Sequence, residues 1–285
     1  MMRKTVVAVA LAALAATAAP AAAAVQAPVG WGSAGKGLYS VGLTKDQRLV
    51  GFDVRTPGDT WDLGRISGLS GDRTLIGIDF RVQNGKLYGV GNAGGIYTIN
   101  SSAKAVKVSR LTVALSGKNF GVDFNPAANR LRVISDTGQN LRHNIDDPAA
   151  PFTTTVDGTL TNPTTPPTTA LGVTGAAYTN NDLNTATATT LFDIDTVNDR
   201  VAVQSPANAG NLAPTGNLGV NAGPSAGFDI YYNRKTGDNK GFASLSTSGK
   251  YRFYSVNVLN GQTNNLGVFP ANRQVFDIAL PLDQN

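Results

Sequence analysis

Gly77-Ile78-Asp79-Phe80, Gly121-Val122-Asp123-Phe124 and Gly227-Phe228-Asp229-Ile230 repeat one phrase: a glycine, a spacer, an aspartate and a large apolar residue. Degenerate copies stand at Gly175-Ala176-Ala177-Tyr178 and Val275-Phe276-Asp277-Ile278. Counted at the aspartate position, through 79, 123, 177, 229 and 277, the steps are 44, 54, 52 and 48 residues. Periods of this length, filled by short strands, are those of β-propeller blades.

Each period divides into four strand signals. The second unit reads 75–80, 86–90, 95–100 and 105–111, with Asn84-Gly85 as the hairpin dipeptide after its first strand. The third reads 120–124, 130–135, 140–145 and 153–156; the fourth 172–179, 189–195, 200–204 and 211–218; the fifth 226–231, 240–245, 250–258 and 262–268. At the N-terminal end 38–43, 48–54 and 60–66 form a unit that lacks its first strand, and 275–280 is a first strand with nothing after it. Joining the two gives an all-β propeller of five four-stranded blades, closed by the C-terminal strand entering the N-terminal blade, with no open edge for aggregation. A six-blade ring and an open two-sheet sandwich are the alternatives that short strands and regular turns also allow.

Composition supports strands over helices. All 19 acidic residues are Asp, no Glu occurs, and Gly, Asn, Thr and Val abound. With no cysteine to staple it, the domain must rest on a large buried core. Residues 1–24 read as a cleaved signal peptide, in which Arg3-Lys4 precede an apolar run and an alanine-rich stretch too short to span a bilayer. A segment 25–37 and a single propeller domain 38–285 follow. The expectation is therefore an exported, periplasmic or extracellular monomer without a membrane span. Removing Arg3 and Lys4 leaves 22 basic against 19 acidic side chains, a net charge of +3. So small a bias predicts no nucleic-acid partner.

Three further segments carry a family resemblance: Asp123-Phe124-Asn125-Pro126, the run Arg130-Leu131-Arg132-Val133-Ile134-Ser135-Asp136-Thr137-Gly138-Gln139-Asn140-Leu141-Arg142, and Gly175-Ala176-Ala177-Tyr178-Thr179-Asn180-Asn181. Together with 204–208 and 216–220 they resemble the bacterial exported family labelled domain of unknown function 4394, over essentially the whole mature chain. The resemblance implies an exported propeller-like domain and no particular reaction.

Two groups of residues could carry chemistry. Asp79, Asp123, Asp229 and Asp277 fall on the strands that would line the central channel, where converging carboxylates could hold calcium through oxygen ligands. The same residues could instead accept backbone N–H bonds from the next blade and fix register, with the glycine two places earlier leaving room for the neighbour. Ala177 breaks the ring of carboxylates at the fourth blade. The second group is the turn Asp136-Thr137-Gly138 with Arg132, Gln139, Asn140 and Arg142, expected near Arg73, Lys118 and Arg273 on the face where the b-to-c and d-to-a loops emerge. Such donors could bind a carboxylate, phosphate or acidic sugar. The plainer reading is a turn whose arginines are solvated or paired with Asp. The Thr- and Pro-rich stretch 153–169 reads as an extended mobile loop, either a lid or a surface insertion.

Familiar catalytic sets are missing. No Glu serves as a glycosidase acid, the single His143 cannot build a zinc site without Cys, and there is no Gly-x-Ser-x-Gly elbow or phosphate-cradling loop. Two functions follow for testing. One is a non-catalytic propeller that binds a small ligand, glycan or protein through its loop face without a cofactor. The other is a metal-assisted hydrolase or lyase using the channel aspartates.

Overall fold

The computed structural model describes residues 37–149 and 151–284; the leader 1–24 and nearly all of the segment 25–37 lie outside the described residues. Among the described residues, strands are joined by turns and a single 3-10 turn, Ala207–Ala209, and no helix is long and apolar enough to cross a membrane.

Five four-stranded antiparallel sheets form the blades. The first contains β1 (Tyr39–Thr44), β2 (Arg48–Asp53) and β3 (Trp61–Arg65). The second runs β4 (Leu75–Arg81), β5 (Lys86–Gly91), β6 (Gly95–Ile99) and β7 (Ala105–Arg110). The third runs β8 (Phe120–Asn125), β9 (Arg130–Ser135), β10 (Asn140–His143) and β11 (Thr154–Val156). A short ladder of β12 (Thr161–Asn162) and β13 (Thr168–Thr169) precedes the fourth blade, β14 (Val173–Tyr178), β15 (Leu191–Asp195), β16 (Arg200–Gln204) and β17 (Leu212–Asn217). The fifth runs β18 (Ala226–Asn233), β19 (Asp238–Thr247), β20 (Lys250–Val256) and β21 (Thr263–Val268). Last comes β22 (Val275–Ala279), which pairs with β1 through Val41↔Ala279, Gly42↔Ile278 and Leu43↔Asp277. The ring is thereby closed as a five-bladed propeller. Its innermost strands β4, β8, β14, β18 and β22 touch in sequence around the axis.

The core lies in five seams, one between each pair of adjacent blades. Alternation explains this. In β9, Leu131 and Val133 pack into the seam with the second blade, while Ile134 packs into the seam with the fourth. Both faces of an inner strand are thus covered, and its apolar residues run almost without interruption. The seam between the fifth and first blades is aromatic, with Phe52 edge-on to Phe253 and Phe269 at centroid distances of 5.0 Å. The repeated glycine permits this closeness. A Cβ on Gly227 would stand 2.5 Å from the Cα of Asp277, and one on Gly121 would stand 2.8 Å from the backbone nitrogen of Ala176.

The stretch 153–169 differs from the expected mobile loop. It contributes β11 and the β12–β13 ladder, and Leu160 is fully buried in the seam between the third and fourth blades. Its backbone N–H groups at Gly158, Leu160 and Thr161 donate to Asn208, Gly138 and Gly210. These bonds fasten residues 158–161 along the seam and to the turn after β9.

Candidate functional site

At the axis the repeated aspartates are buried, and one carboxylate oxygen from each of Asp79, Asp123 and Asp229 lies within 4.8 Å of the others. Backbone donors already occupy much of this ring. Asp79 accepts the N–H of Phe124 at 2.7 Å, Asp123 that of Tyr178 at 3.2 Å, Asp229 that of Leu280 at 2.6 Å, and Asp277 that of Ile78 at 2.7 Å. Each bond crosses to the next blade, and the relay stops only at the fourth, where Ala177 stands. Burial pushes all four carboxyls up, Asp229 to about 7 and the others well above the usual range; Asp229 further raises Asp79, and Asp79 further raises Asp123. The cluster can share protons, or it can hold a hard cation through oxygens that must then also serve the backbone.

Above the aspartates, where the innermost strands begin, lies a bowl of about 370 Å³. Its apolar lining includes Ile76 and Phe120, each three residues before the channel aspartate of its strand, and Phe276, one residue before Asp277. Around them stand Lys45, Gln47, Lys118, Asn119, Ser225, Ser246 and Tyr251. The loops that carry these groups are tied down by side chains. Gln47 of the first blade exchanges two hydrogen bonds with the backbone of Leu75 in the second, at 2.6 and 3.2 Å. Asp136, in the turn after β9, accepts the N–H groups of Lys118 and Asn119 and the Asn119 amide. Among the described residues no acidic side chain lines the bowl. Among the described residues Lys118 makes no ion pair, and Lys45 lies over the Tyr251 ring with its Nζ 5.0 Å from the centre.

The basic group expected from the sequence divides in two. Lys118 and Asp136 line cavities on the loop face, but Arg73 and Arg273 border neither the bowl nor the cavity beside it. Gln139 is used in positioning, with its side chain bonded to the N–H of Ser116 and the carbonyl of Ala114. Arg132 and Asn140 are each only 1% exposed and lie in the seam between the third and fourth blades. There Arg132 donates to Asp157 at 2.6 Å, to Asn140 and Asn208, and to the Tyr178 hydroxyl, while Arg142 donates to the same Asp157. Polar residues alternating with Leu131 and Val133 resemble a solvent face, but in a propeller that face is the next seam. The structure therefore does not bring Arg132, Asn140 and Arg142 together with Lys118 at the channel mouth.

Asp193 escaped the sequence reading, and His143 entered it only as a poor zinc ligand. Asp193, on β15, is fully buried between cross-strand neighbours Ala176 and Ala202, and neither carboxylate oxygen has a hydrogen-bond partner among the described residues. Burial holds its carboxyl well above the usual range, and Arg132 only partly offsets this. His143 meets a serine of the neighbouring blade. Its Nε2 lies 2.8 Å from Ser109 Oγ and its Nδ1 lies 2.9 Å from Thr154 Oγ1. Burial lowers its pKa to about 4, and a hydroxyl, rather than a carboxylate, stands behind the ring. This linkage joins the second blade to the third and lacks the orienting acid of a catalytic triad.

A family model described as Domain of unknown function (DUF4394) matches residues 48–279, and the chain belongs to that family. No curated protein matches the sequence. Among solved structures the chain is similar to an auxiliary nutrient binding protein from Bacteroides ovatus ATCC 8483, at 13% identity and a TM-score of 0.43, with 80% of this chain and 57% of that one covered. It is similar to the nidogen/laminin complex at 7% identity and 0.48, covering 87% and 99%. It is also similar to a protein of unknown function from Bacteroides thetaiotaomicron VPI-5482 at 11% identity and 0.48, covering 88% and 63%. The chain thus spans less than two thirds of the two Bacteroides proteins.

Proposed function

We propose that this member of the DUF4394 family is a non-catalytic binding propeller that takes a small anionic ligand in the bowl on its loop face. One observation carries the reading: two lysines border the bowl, no acidic side chain lines it, and the nearby Asp136 is committed to the N–H groups that shape it. An ammonium group over an apolar floor favours a carboxylate or phosphate, whose interaction is strengthened where water is partly excluded. The clamps between loops hold the bowl open beforehand, so little ordering cost attends binding. The sequence reading of residues 1–24 as an export signal sets this activity outside the cytoplasm, with the ligand drawn from the surroundings of the cell.

Titration of the protein with small carboxylates and inorganic phosphate at low salt tests the reading. Losing a hydrogen bond to a charged partner costs about 1.5–3 kcal/mol. Lys118→Ala should accordingly weaken binding about ten- to a hundredfold, and added salt should weaken it in the wild type. Equal affinity in wild type, Lys118→Ala and Lys45→Ala would remove the bowl from consideration.

A metal-assisted hydrolase or lyase is the second reading, favoured by the 4.8 Å cluster of Asp79, Asp123 and Asp229. Calcium is the ion its oxygens would take. Opposed to it are the backbone N–H bonds that already use these carboxylates and the burial that disfavours their charged form. A calcium-dependent rise in melting temperature, abolished in Asp79→Asn, would restore it.

A further inference from the structure

A second cavity, of about 710 Å³, adjoins the bowl and shares Lys118 and Pro224 with it. It opens over the top of the seam between the third and fourth blades. Away from the bowl its wall is apolar, with Leu171, Val197 and, from the connection into the fifth blade, Ala222. Leu171 is 56% exposed and Val197 is 65% exposed. A lone exposed Leu or Val on a protein surface needs no explanation, but two facing one concavity mark it as a place for apolar matter. Gly172 sets them together. Its φ is +79°, and a Cβ there would stand 2.3 Å from the side chain of Val197, so the two loops approach as closely as they do only with glycine at this position.

The polar groups of this cavity are already engaged. Asp136 accepts three donors from Lys118 and Asn119, Thr137 Oγ1 donates to the carbonyl of Ser116, and Thr196 Oγ1 donates to the carbonyl of Gly172. The Lys118 ammonium, at the junction with the bowl, is the charged group left for a ligand. A charge at one end of a groove whose other polar groups are engaged and whose wall carries Leu171 and Val197 is a pattern with a definite complement.

We propose that the bowl and the groove form one two-part site and that its ligand is an amphipathic anion. A carboxylate or phosphate head sits at Lys118 and Lys45, and an alkyl or aryl portion extends over Leu171 and Val197. This rests on the loop-face reading above and adds the class of ligand to it.

The test is an amide chemical-shift titration of the full-length domain with straight-chain carboxylates from acetate to decanoate, kept below micelle formation. Each methylene that leaves water should tighten binding about fourfold until the groove is filled. Leu171→Asn combined with Val197→Thr keeps the net charge and changes two exposed side chains. It should leave acetate affinity unchanged and flatten the dependence on chain length. Lys118→Ala should weaken every member of the series by a similar factor and leave the slope. The intercept thus reports the bowl and the slope reports the groove. Affinity independent of chain length in the wild type, or a slope that survives the Leu171 and Val197 changes, overturns the two-part site while the anionic bowl stands. A series that binds with the expected slope but ignores Lys118→Ala overturns both, as does a failure of every chain length to bind.

Discussion

The innermost strands begin and end in different company. At their start, Lys45 and Lys118 surround a bowl with no acidic partner in its lining. At the other end of β4, Arg81 is buried, donates to Asp146 at 2.6 Å and to Asn129, and lies over the rings of Tyr88 and Phe124 at 5.8 and 5.9 Å. The seam arginine Arg132 is satisfied in the same manner. Burying a cation costs so much that it persists only with partners on every side, whereas an exposed one can stay unpaired at little expense. The buried, paired Arg81 and Arg132 therefore hold blades together, and unpaired cations at a cavity are free to meet a ligand.

Substitutions should separate these roles by the size of their effect on stability. The largest loss is expected for Arg132→Ala, which leaves the 4%-exposed Asp157 short of one of its two arginines and frees Asn140 and Asn208; urea unfolding should register about 3–5 kcal/mol. Next comes Asp229→Ala, which deprives the N–H groups of Ile230 and Leu280 of their acceptor, at about 2–3 kcal/mol. A loss below about 1 kcal/mol would mean that the aspartate relay does not fix blade register.

A smaller effect, of opposite sign, is expected at Asp193. Because its pKa and those of the channel aspartates are raised on folding, the stability they contribute is full below the ordinary Asp value of about 4 and declines as pH rises through the folded values, about 7 for Asp229. His143 acts in the reverse sense, since its pKa falls to about 4, and its contribution is lost only as pH drops below about 6.5. Between pH 6.5 and pH 8.5 the carboxyl contribution falls while that of His143 rises only slightly. The wild type should be less stable at pH 8.5, and Asp193→Leu should reduce that decline while leaving stability equal or higher by about 1 kcal/mol. A steeper decline in the variant would show that Asp193 is satisfied in solution. The smallest effect is expected for Lys118→Ala, within about 0.5 kcal/mol of wild type, because this side chain is exposed and unpaired.

Much of this architecture is written locally. The bounds of β9 and β16 agree with the strand signals at 130–135 and 200–204, because apolar alternation and turn residues mark both ends. Ring closure is readable from the incomplete units at either end of the domain. What local pattern does not carry is which seam a polar side chain enters: Arg132 and Asp193 occupy positions that would be solvent-facing in a two-sided sheet. Nor does a Thr- and Pro-rich composition reveal that 153–169 finds partners at Gly138, Asn208 and Gly210. On the loop face, Lys118 and Asp136 could be named from turn positions. Lys45, Leu171 and Val197 join the site only because blades distant in sequence meet there.

The most direct measurement is a map of backbone amides perturbed when octanoate is added at low salt. The account predicts changes at 74–76, 118–120 and 225 around the bowl, continuing to Gly172 and Val197 along the groove, with Gly85, Asn180 and Gly237 at the opposite face unmoved. Changes gathered at that opposite face, or none at any concentration, would contradict it.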